Sequence, residues 1–269
     1  PHGPDHGTGA LGVAPEAKIL PVRVGNGRSS DRAVEQGIEW AADHGADVIS
    51  IAIGGPSEGY FQDAVDYALE QDVVVVASAG NTSDGSTEVE WPAAAQGVVA
   101  VSGTDRDDEF SDESVSGPET ALAAPAEDIM SAGSGERGRY NTGTGTSDST
   151  AIVSGVAALV RAKYPDLDAA NVINRLIATA DDKGPEGRDP EYGFGIVNPV
   201  KALTENVPEV SGNPLLPGAS TAPTSVSPQA GEDSGPGPVG ITLIFLGAAA
   251  VLAVLIAITI AAIRRRPHA

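Results

Sequence analysis

Two side chains in this sequence have the type and placement to do acyl-transfer chemistry. Ser147 opens a long, nearly apolar stretch, SDSTAIVSGVAALVRAK (147–163), that reads as a buried helix preceded by Gly143-Thr144-Gly145-Thr146. A serine at a helix N-terminus has two readings. It is a plain N-cap, or it is a nucleophile whose attack product is stabilised by adjacent backbone N–H groups and the helix dipole. Asn81 follows Ala79-Gly80 at the end of the apolar run VVVVAS (73–78). It is either an ordinary turn residue or an amide donor aimed at an oxyanion. Ile53-Gly54-Gly55 ends a second apolar run, DVISIAI (47–53). In open parallel sheets, ligands bind beyond the carboxyl ends of strands, and both Gly-rich ends fit that rule. The turn at 25–30, GNGRSS, has neither dinucleotide-binding nor P-loop spacing, which argues against a nucleotide module.

The elements that must position these residues alternate in type. Lys18–Val24, Asp47–Ile53, Val73–Ser78 and Val98–Gly103 are short apolar runs that read as strands. Asp31–His44, with Ser30 as N-cap, and Ser57–Gln71 carry apolar residues at helical spacing. The spacing predicts further helices over Ser147–Lys163 and Asp168–Thr179. Apolar strands separated by amphipathic helices indicate right-handed βαβ units, hence an α/β fold with a mostly parallel sheet and helices on both faces.

Composition narrows the function. Of the 269 residues 16 are basic and 37 acidic, a net of −21; every acid lies before residue 239 and three arginines after it, leaving 1–238 at −24. Such a surface repels phosphate backbones and excludes nucleic acid as a partner. The absence of cysteine excludes a disulfide scaffold, a thiolate zinc site and a cysteine nucleophile. Residues 239–263 (VGITLIFLGAAAVLAVLIAITIAAI) are 25 uncharged residues, long enough for a bilayer core of ~30 Å, and Arg264–Arg266 follow. The positive-inside rule predicts a single-pass membrane anchor, with 264–269 as a cytoplasmic tail and all upstream residues extracellular. Residues 206–238, with seven prolines and no apolar period, are expected to be a disordered Pro/Ser/Gly-rich linker. Residues 1–205 are the folded domain.

Taken in order, GVAPEAKILPVRV (12–24), AVEQGIEWAADHGADVISIAIGGP (33–56), VVVVASAGN (73–81), VVAVSGTD (98–105), the stretch 110–125 ending in AAP, GTGTS (143–147) with its apolar helix, and YGFGIVN (192–198) resemble the subtilisin-like serine proteases, the subtilases of peptidase family S8. The anchored, Pro-rich C-terminus further resembles the mycosin branch, membrane-tethered subtilases of actinobacterial type VII secretion. The resemblance implies a three-layer fold and serine endopeptidase activity on protein or peptide substrates, with secretion-system proteins as further partners. It also implies roles. Ser147 matches the acylating nucleophile, and Asn81 the side-chain member of the oxyanion hole. Ala52, Ile53 and Gly54 match the segment that pairs with an extended substrate, and Ala79 and Gly80 line the first specificity pocket. No cofactor is implied. Structural calcium is common in the family, and Asp105, Asp107 and Asp108 are acids near one another, but no ligand loop is recognisable.

The sequence departs from the family in two places. Ser149 and Ala151 stand where Ala and Pro usually follow the nucleophile. His6, in an HGT triplet, precedes Gly12-Val13-Ala14-Pro15 by only six positions, too few for the helix that the catalytic histidine opens, and reads as a surface loop. His44 falls late in a helix on its solvent side, and His2 and His268 are terminal. The domain is therefore expected to be N-terminally incomplete, with the triad Asp and His upstream of Pro1. Residues 1–269 by themselves are then expected to be inactive, because a serine without its base is a poor nucleophile. The competing reading is a catalytically inactive subtilase scaffold bracing a secretion complex.

Overall fold

The structure, a computed structural model, describes residues 10–25, 30–132 and 140–219. Its centre is a four-stranded parallel sheet ordered β1-β2-β3-β4: Val48–Ile51, Val74–Ser78, Val99–Thr104 and Thr120–Pro125. Val48 pairs with Val74, Val76 with Val99 and Ser102 with Ala123. Helices α1 (Asp31–Asp43) and α2 (Phe61–Glu70) pack on one face, α3 (Thr146–Lys163) and α4 (Ala169–Ala178) on the other. The hairpin β5 (Ile129–Ala132) and β6 (Tyr140–Gly143) precedes α3, and α5 (Pro199–Thr204) follows α4.

The continuous apolar character of β2 and β3 follows from this layering. Side chains alternate across a strand. Val75 and Ala77 join the core under α1 and α2, whereas Val74, Val76, Val99 and Val101 join the core under α3 and α4. With both faces covered, these strands are apolar until their C-terminal ends, where the buried Ser78, Ser102 and Thr104 stand. Caps set the helix starts: Ser30 accepts from the Ala33 N–H at 3.3 Å and Asp168 from the Asn171 N–H at 2.8 Å.

Two segments differ from the sequence reading. Lys18–Val24 forms no strand. It lies on the surface with Ile19 82 % exposed, while Val22 and Val24 sit against Gly37 of α1, where an added Cβ would meet them at 3.2 and 2.8 Å. Pro21 lacks the N–H that a sheet ladder needs. Residues 206–219, the first part of the segment read as a linker, pack on the domain. Asn171 on α4 accepts from the Val210 N–H at 2.8 Å and donates to the Val210 carbonyl at 3.2 Å, and Asn213 donates to the Gly97 carbonyl at 2.9 Å. Val210 and Asn213 are buried, so isolated side chains rather than a periodic pattern hold this stretch.

No helix among the described residues is long and apolar enough to cross a membrane. The expected spanning segment 239–263, the tail 264–269, the linker beyond 219, and His2, His6 and His268 lie outside the described residues.

Candidate active site

The site residues gather where the C-terminal ends of β1 and β2 meet the N-terminus of α3. Ser147 is the second residue of α3, and Gly145 is its N-cap. The plain N-cap reading of Ser147 is therefore set aside. Its hydroxyl donates across the cleft to the Ala52 carbonyl at 3.0 Å. The helix is capped in trans by Asn81, whose Oδ1 accepts from the Thr146 N–H at 2.9 Å. Gly145 has φ 154, and a Cβ there would lie 3.1 Å from Asn81 Oδ1, so a glycine lets the two chain segments meet.

Thr146, which sequence reasoning passed over, is the joint of the site. It is fully buried; its hydroxyl accepts from the Gly80 N–H at 3.2 Å and lies within donating distance of the Gly80 carbonyl (3.2 Å) and Asn81 Oδ1 (3.1 Å). One hydroxyl hydrogen serves one acceptor at a time. The next turn is tied down similarly. Ser149, at the position where the family usually has Ala, lies within donating distance of the Ala124 carbonyl (2.9 Å) and the Pro125 carbonyl (3.1 Å), and a bond to either ties α3 to the end of β4. The GTS triplet carried the signal for Thr146; nothing in the local pattern marked Ser149 as a tether.

With its oxygen held by Thr146, the Asn81 carboxamide has a fixed orientation. Its Nδ2 donates to Asp84 Oδ2 at 3.1 Å, and an amide nitrogen has a second hydrogen. Ala52, Ile53 and Gly54 are exposed and form no backbone–backbone hydrogen bond among the described residues. They are thus a free extended edge beside Ser147. Ala79 and Gly80 are buried. Ala79 is held by Val101 and Glu90, its N–H donating at 2.9 Å and its carbonyl accepting at 2.9 Å; Gly80 O accepts from the Val115 N–H at 3.1 Å.

One acid adjoins Ser147 in the chain. Asp148 follows it directly, and burial pushes the Asp148 carboxyl above its usual range. His44, the single histidine among the described residues, sits at the C-cap of α1 stacked on Trp40 with ring centroids 3.8 Å apart. Its Nδ1 lies 2.7 Å from the Trp40 carbonyl. Asp105 is spent on its own loop, accepting from the Asp107 and Glu109 N–H groups at 2.8 and 2.9 Å. Among the described residues no group of three or more acids or histidines is arranged to hold a metal ion.

This arrangement of fold and cleft has relatives. The model of the Subtilase family, Peptidase S8, matches residues 2–195. The chain belongs to the subtilase family. Subtilisin DY of Bacillus licheniformis is 37% identical over 199 residues, 72% of this chain and 71% of the relative. Mycosin-2 of Mycobacterium tuberculosis is 33% identical over 274 residues, 79% of this chain and 49% of the relative. The crystal structure of MycP1 with its N-terminal propeptide removed superposes with a TM-score of 0.68 at 32% identity, covering 78% of this subtilase and 77% of that chain. The subtilisin-like α/β fold with a parallel sheet and the kinship with mycosins, both expected from the motifs, are therefore facts of this chain.

Proposed function

We propose that this subtilase is a membrane-anchored extracellular serine endopeptidase in which Ser147 is the acylating nucleophile. The observation that supports the reading is the Asn81–Thr146 hydrogen bond, which holds the Asn81 carboxamide at the N-terminus of α3, the helix that carries Ser147. In the proposed reaction, Ser147 Oγ attacks the scissile carbonyl carbon while its proton passes to a histidine. The carbonyl oxygen becomes an oxyanion, accepting from the Ser147 backbone N–H and from the second Nδ2 hydrogen of Asn81. Collapse breaks the C–N bond, the amine leaves with the histidine's proton, and water hydrolyses the acyl-enzyme. Substrate chain pairs with Ala52-Ile53-Gly54, and its side chain next to the cleaved bond enters between this segment and Ala79-Gly80. His44 is engaged with Trp40. We place the general base and its aspartate upstream of Pro1, following the family's chain order of Asp, His, Ser.

The anchor is part of this proposal and rests on the uncharged run 239–263 with Arg264–Arg266 behind it. MycP1 is described as an essential component of the type VII (ESX-1) secretion system, which supports secretion-system proteins as partners here. One observation favours an inactive assembly component instead: Asp148 puts a carboxyl next in the chain to the serine whose attack must generate an oxyanion on the substrate carbonyl. A fluorophosphonate probe decides between the two. Applied to the protein expressed with the coding region preceding Pro1, it should label Ser147 and nothing in Ser147→Ala; a folded protein that resists labelling is the assembly component.

A further inference from the structure

Glu90 stands where the first specificity pocket should be. Gly54 and Gly80 close the ends of adjacent parallel strands. A Cβ built on Gly54 would lie 2.4 Å from Glu90 Oε2, and one built on Gly80 would lie 2.8 Å from Glu90 Cγ and 3.3 Å from Oε2. The Glu90 side chain thus lies over both glycines, in the slot between the two strand-end segments. It has little freedom to leave. Its N–H donates to the Ala79 carbonyl at 2.9 Å, its carbonyl accepts from the Ala94 N–H at 2.9 Å, and the next residue, Trp91, exchanges two backbone hydrogen bonds with Gly55 at 2.9 and 3.1 Å. The Ser86 hydroxyl donates to Oε1. Oε2 has no hydrogen-bond partner and Glu90 no ion-pair partner among the described residues.

We infer that Glu90 is the specificity-determining residue of the cleft and selects a lysine or arginine side chain on the substrate residue that precedes the cleaved bond. The inference rests on the proposed endopeptidase reading. Substrate laid along Ala52-Ile53-Gly54 with its scissile carbonyl at Ser147 sends that side chain between Gly54 and Gly80, the slot Glu90 occupies. A cationic end pairs with Oε2 where water is partly excluded and the attraction is strong. A bulky apolar side chain would cover the carboxylate without pairing it, which costs more than the apolar contact returns. The negative charge of residues 1–238 adds a long-range attraction for basic segments.

The test has two arms. Peptides differing only at that residue (Lys, Arg, Ala, Leu) are given to the protein expressed with the coding region preceding Pro1. The expected kcat/KM for Lys or Arg exceeds that for Leu by ~10-fold or more, as for other buried charge pairings. Glu90→Gln should erase this preference, bringing the Lys/Leu ratio to about 1, and Glu90→Asp should retain a preference for Lys over Leu. Equal or better cleavage after Ala or Leu, or an unchanged ratio in Glu90→Gln, overturns the inference. The second arm measures benzamidine binding to Ser147→Ala by NMR, with Ser147→Ala/Glu90→Gln as control, and needs no chemistry. Binding lost with Glu90→Gln supports the inference even where no peptide is cleaved, an outcome that refutes only the endopeptidase reading. Absence of binding to a folded protein refutes the inference even where peptides are cleaved.

Discussion

The hydroxyl of Ser147 donates to the carbonyl of Ala52, 95 residues earlier in the chain, at 3.0 Å. That one bond spans the cleft between the N-terminus of α3 and the free edge after β1. The carbonyl belongs to the segment on which substrate would lie, so the hydroxyl occupies part of the site it would serve. In the proposed reaction the hydroxyl would leave Ala52 for a scissile carbonyl and give its proton to another acceptor. Three further contacts, from Asn81, Thr146 and Ser149, hold the helix end still while that side chain turns. Surroundings fixed in advance are what pre-organised acyl transfer needs.

Asn81 has two separable tasks, and truncation should reveal both. Asn81→Ala removes the acceptor for the Thr146 N–H, which should lower stability by about 1 kcal/mol, the usual net worth of a hydrogen bond. It also removes the Nδ2 donor. In the protein expressed with the region preceding Pro1, kcat should fall by ~10²–10³, as when one oxyanion-hole donor is removed from a subtilisin. KM should stay within about 3-fold, because the interaction is made in the transition state. Urea unfolding and steady-state kinetics read the two effects separately. A parallel rise in KM with unchanged kcat would mean that Asn81 only caps α3.

Glycines in the YGFGIVN motif should be intolerant for a geometric reason. Gly195 has φ 126, and a Cβ there would lie 2.3 Å from the Asp181 carbonyl oxygen; at Gly193, φ 63, it would lie 2.3 Å from the backbone carbon of Ala121. Both obstacles are main chain. Gly195→Ala is expected to destabilise by more than about 3 kcal/mol, through combined strain and clash. Gly187, φ 85, has nothing within 4 Å of the point where a Cβ would stand, so Gly187→Ala should cost only about 1 kcal/mol of backbone strain. Denaturant midpoints of the two variants compared with the parent check the contrast; similar losses would mean that φ alone governs both.

How much is legible in the sequence depends on whether the information is periodic. The uninterrupted valines at 73–76 and the 3.6-residue pattern around Val34 and Ile38 place β2 and α1 within a residue or so, because burial on one or two faces imposes those patterns. Ser147 and Asn81 are legible through motif resemblance, although only the fold shows that Asn81 caps the helix Ser147 stands on. Lys18–Val24 reads as a strand because its alternating apolar residues fit one equally well, and the distinguishing fact is Pro21 with its missing donor. The packing of 206–219 is illegible for the opposite reason. It depends on Asn171 and Asn213, single polar side chains that bond backbone at a distance and leave no period. Thr146 owes its position to a contact 65 residues away, and Glu90 to its bond with Ala79 and its place over Gly54, none of which sequence spacing alone discloses.

Asp181 offers a check on surface electrostatics at the α5 end. The hydrogen bond from Lys201, at 2.5 Å, is the main influence holding its carboxyl below the usual carboxylate range, with a smaller contribution from Asn198 at 2.8 Å. A lowered folded-state value means that the stabilisation is present above the unfolded carboxyl value and is lost as pH falls through the lowered folded value. Both side chains are roughly half exposed, so solvent screening keeps the contribution under about 1 kcal/mol. Lys201→Met should move the Asp181 titration upward in a carbon-detected NMR experiment and flatten the acid limb of stability by a similarly small amount. A titration that does not move would show that the pair is not formed in solution.

Asp148 should behave in the opposite sense. Burial pushes its carboxyl up, so the folded protein holds this proton more tightly than the unfolded chain does. Its favourable contribution is full below the unfolded carboxyl value and is lost as pH rises through the raised folded value. Asp148→Asn, which cannot ionise, should therefore gain stability relative to the parent as pH rises through that interval, measured as the pH dependence of the difference in urea midpoint. The chemical consequence follows from the same desolvation. Asp148 directly follows Ser147, and its carboxyl lies over Gly143, where an added Cβ would stand 2.8 Å from Oδ2. In the proposed reaction the ionised carboxyl would oppose a second negative charge forming on the substrate carbonyl attacked by Ser147. In the protein expressed with the region preceding Pro1, Asp148→Asn should accelerate fluorophosphonate labelling of Ser147 at neutral pH, with the advantage shrinking as pH is lowered and the parent carboxyl becomes protonated. Slower labelling in Asp148→Asn at neutral pH would instead make the carboxylate a positioning group for the nucleophile, and a stability difference that runs the other way with pH would remove the burial argument altogether.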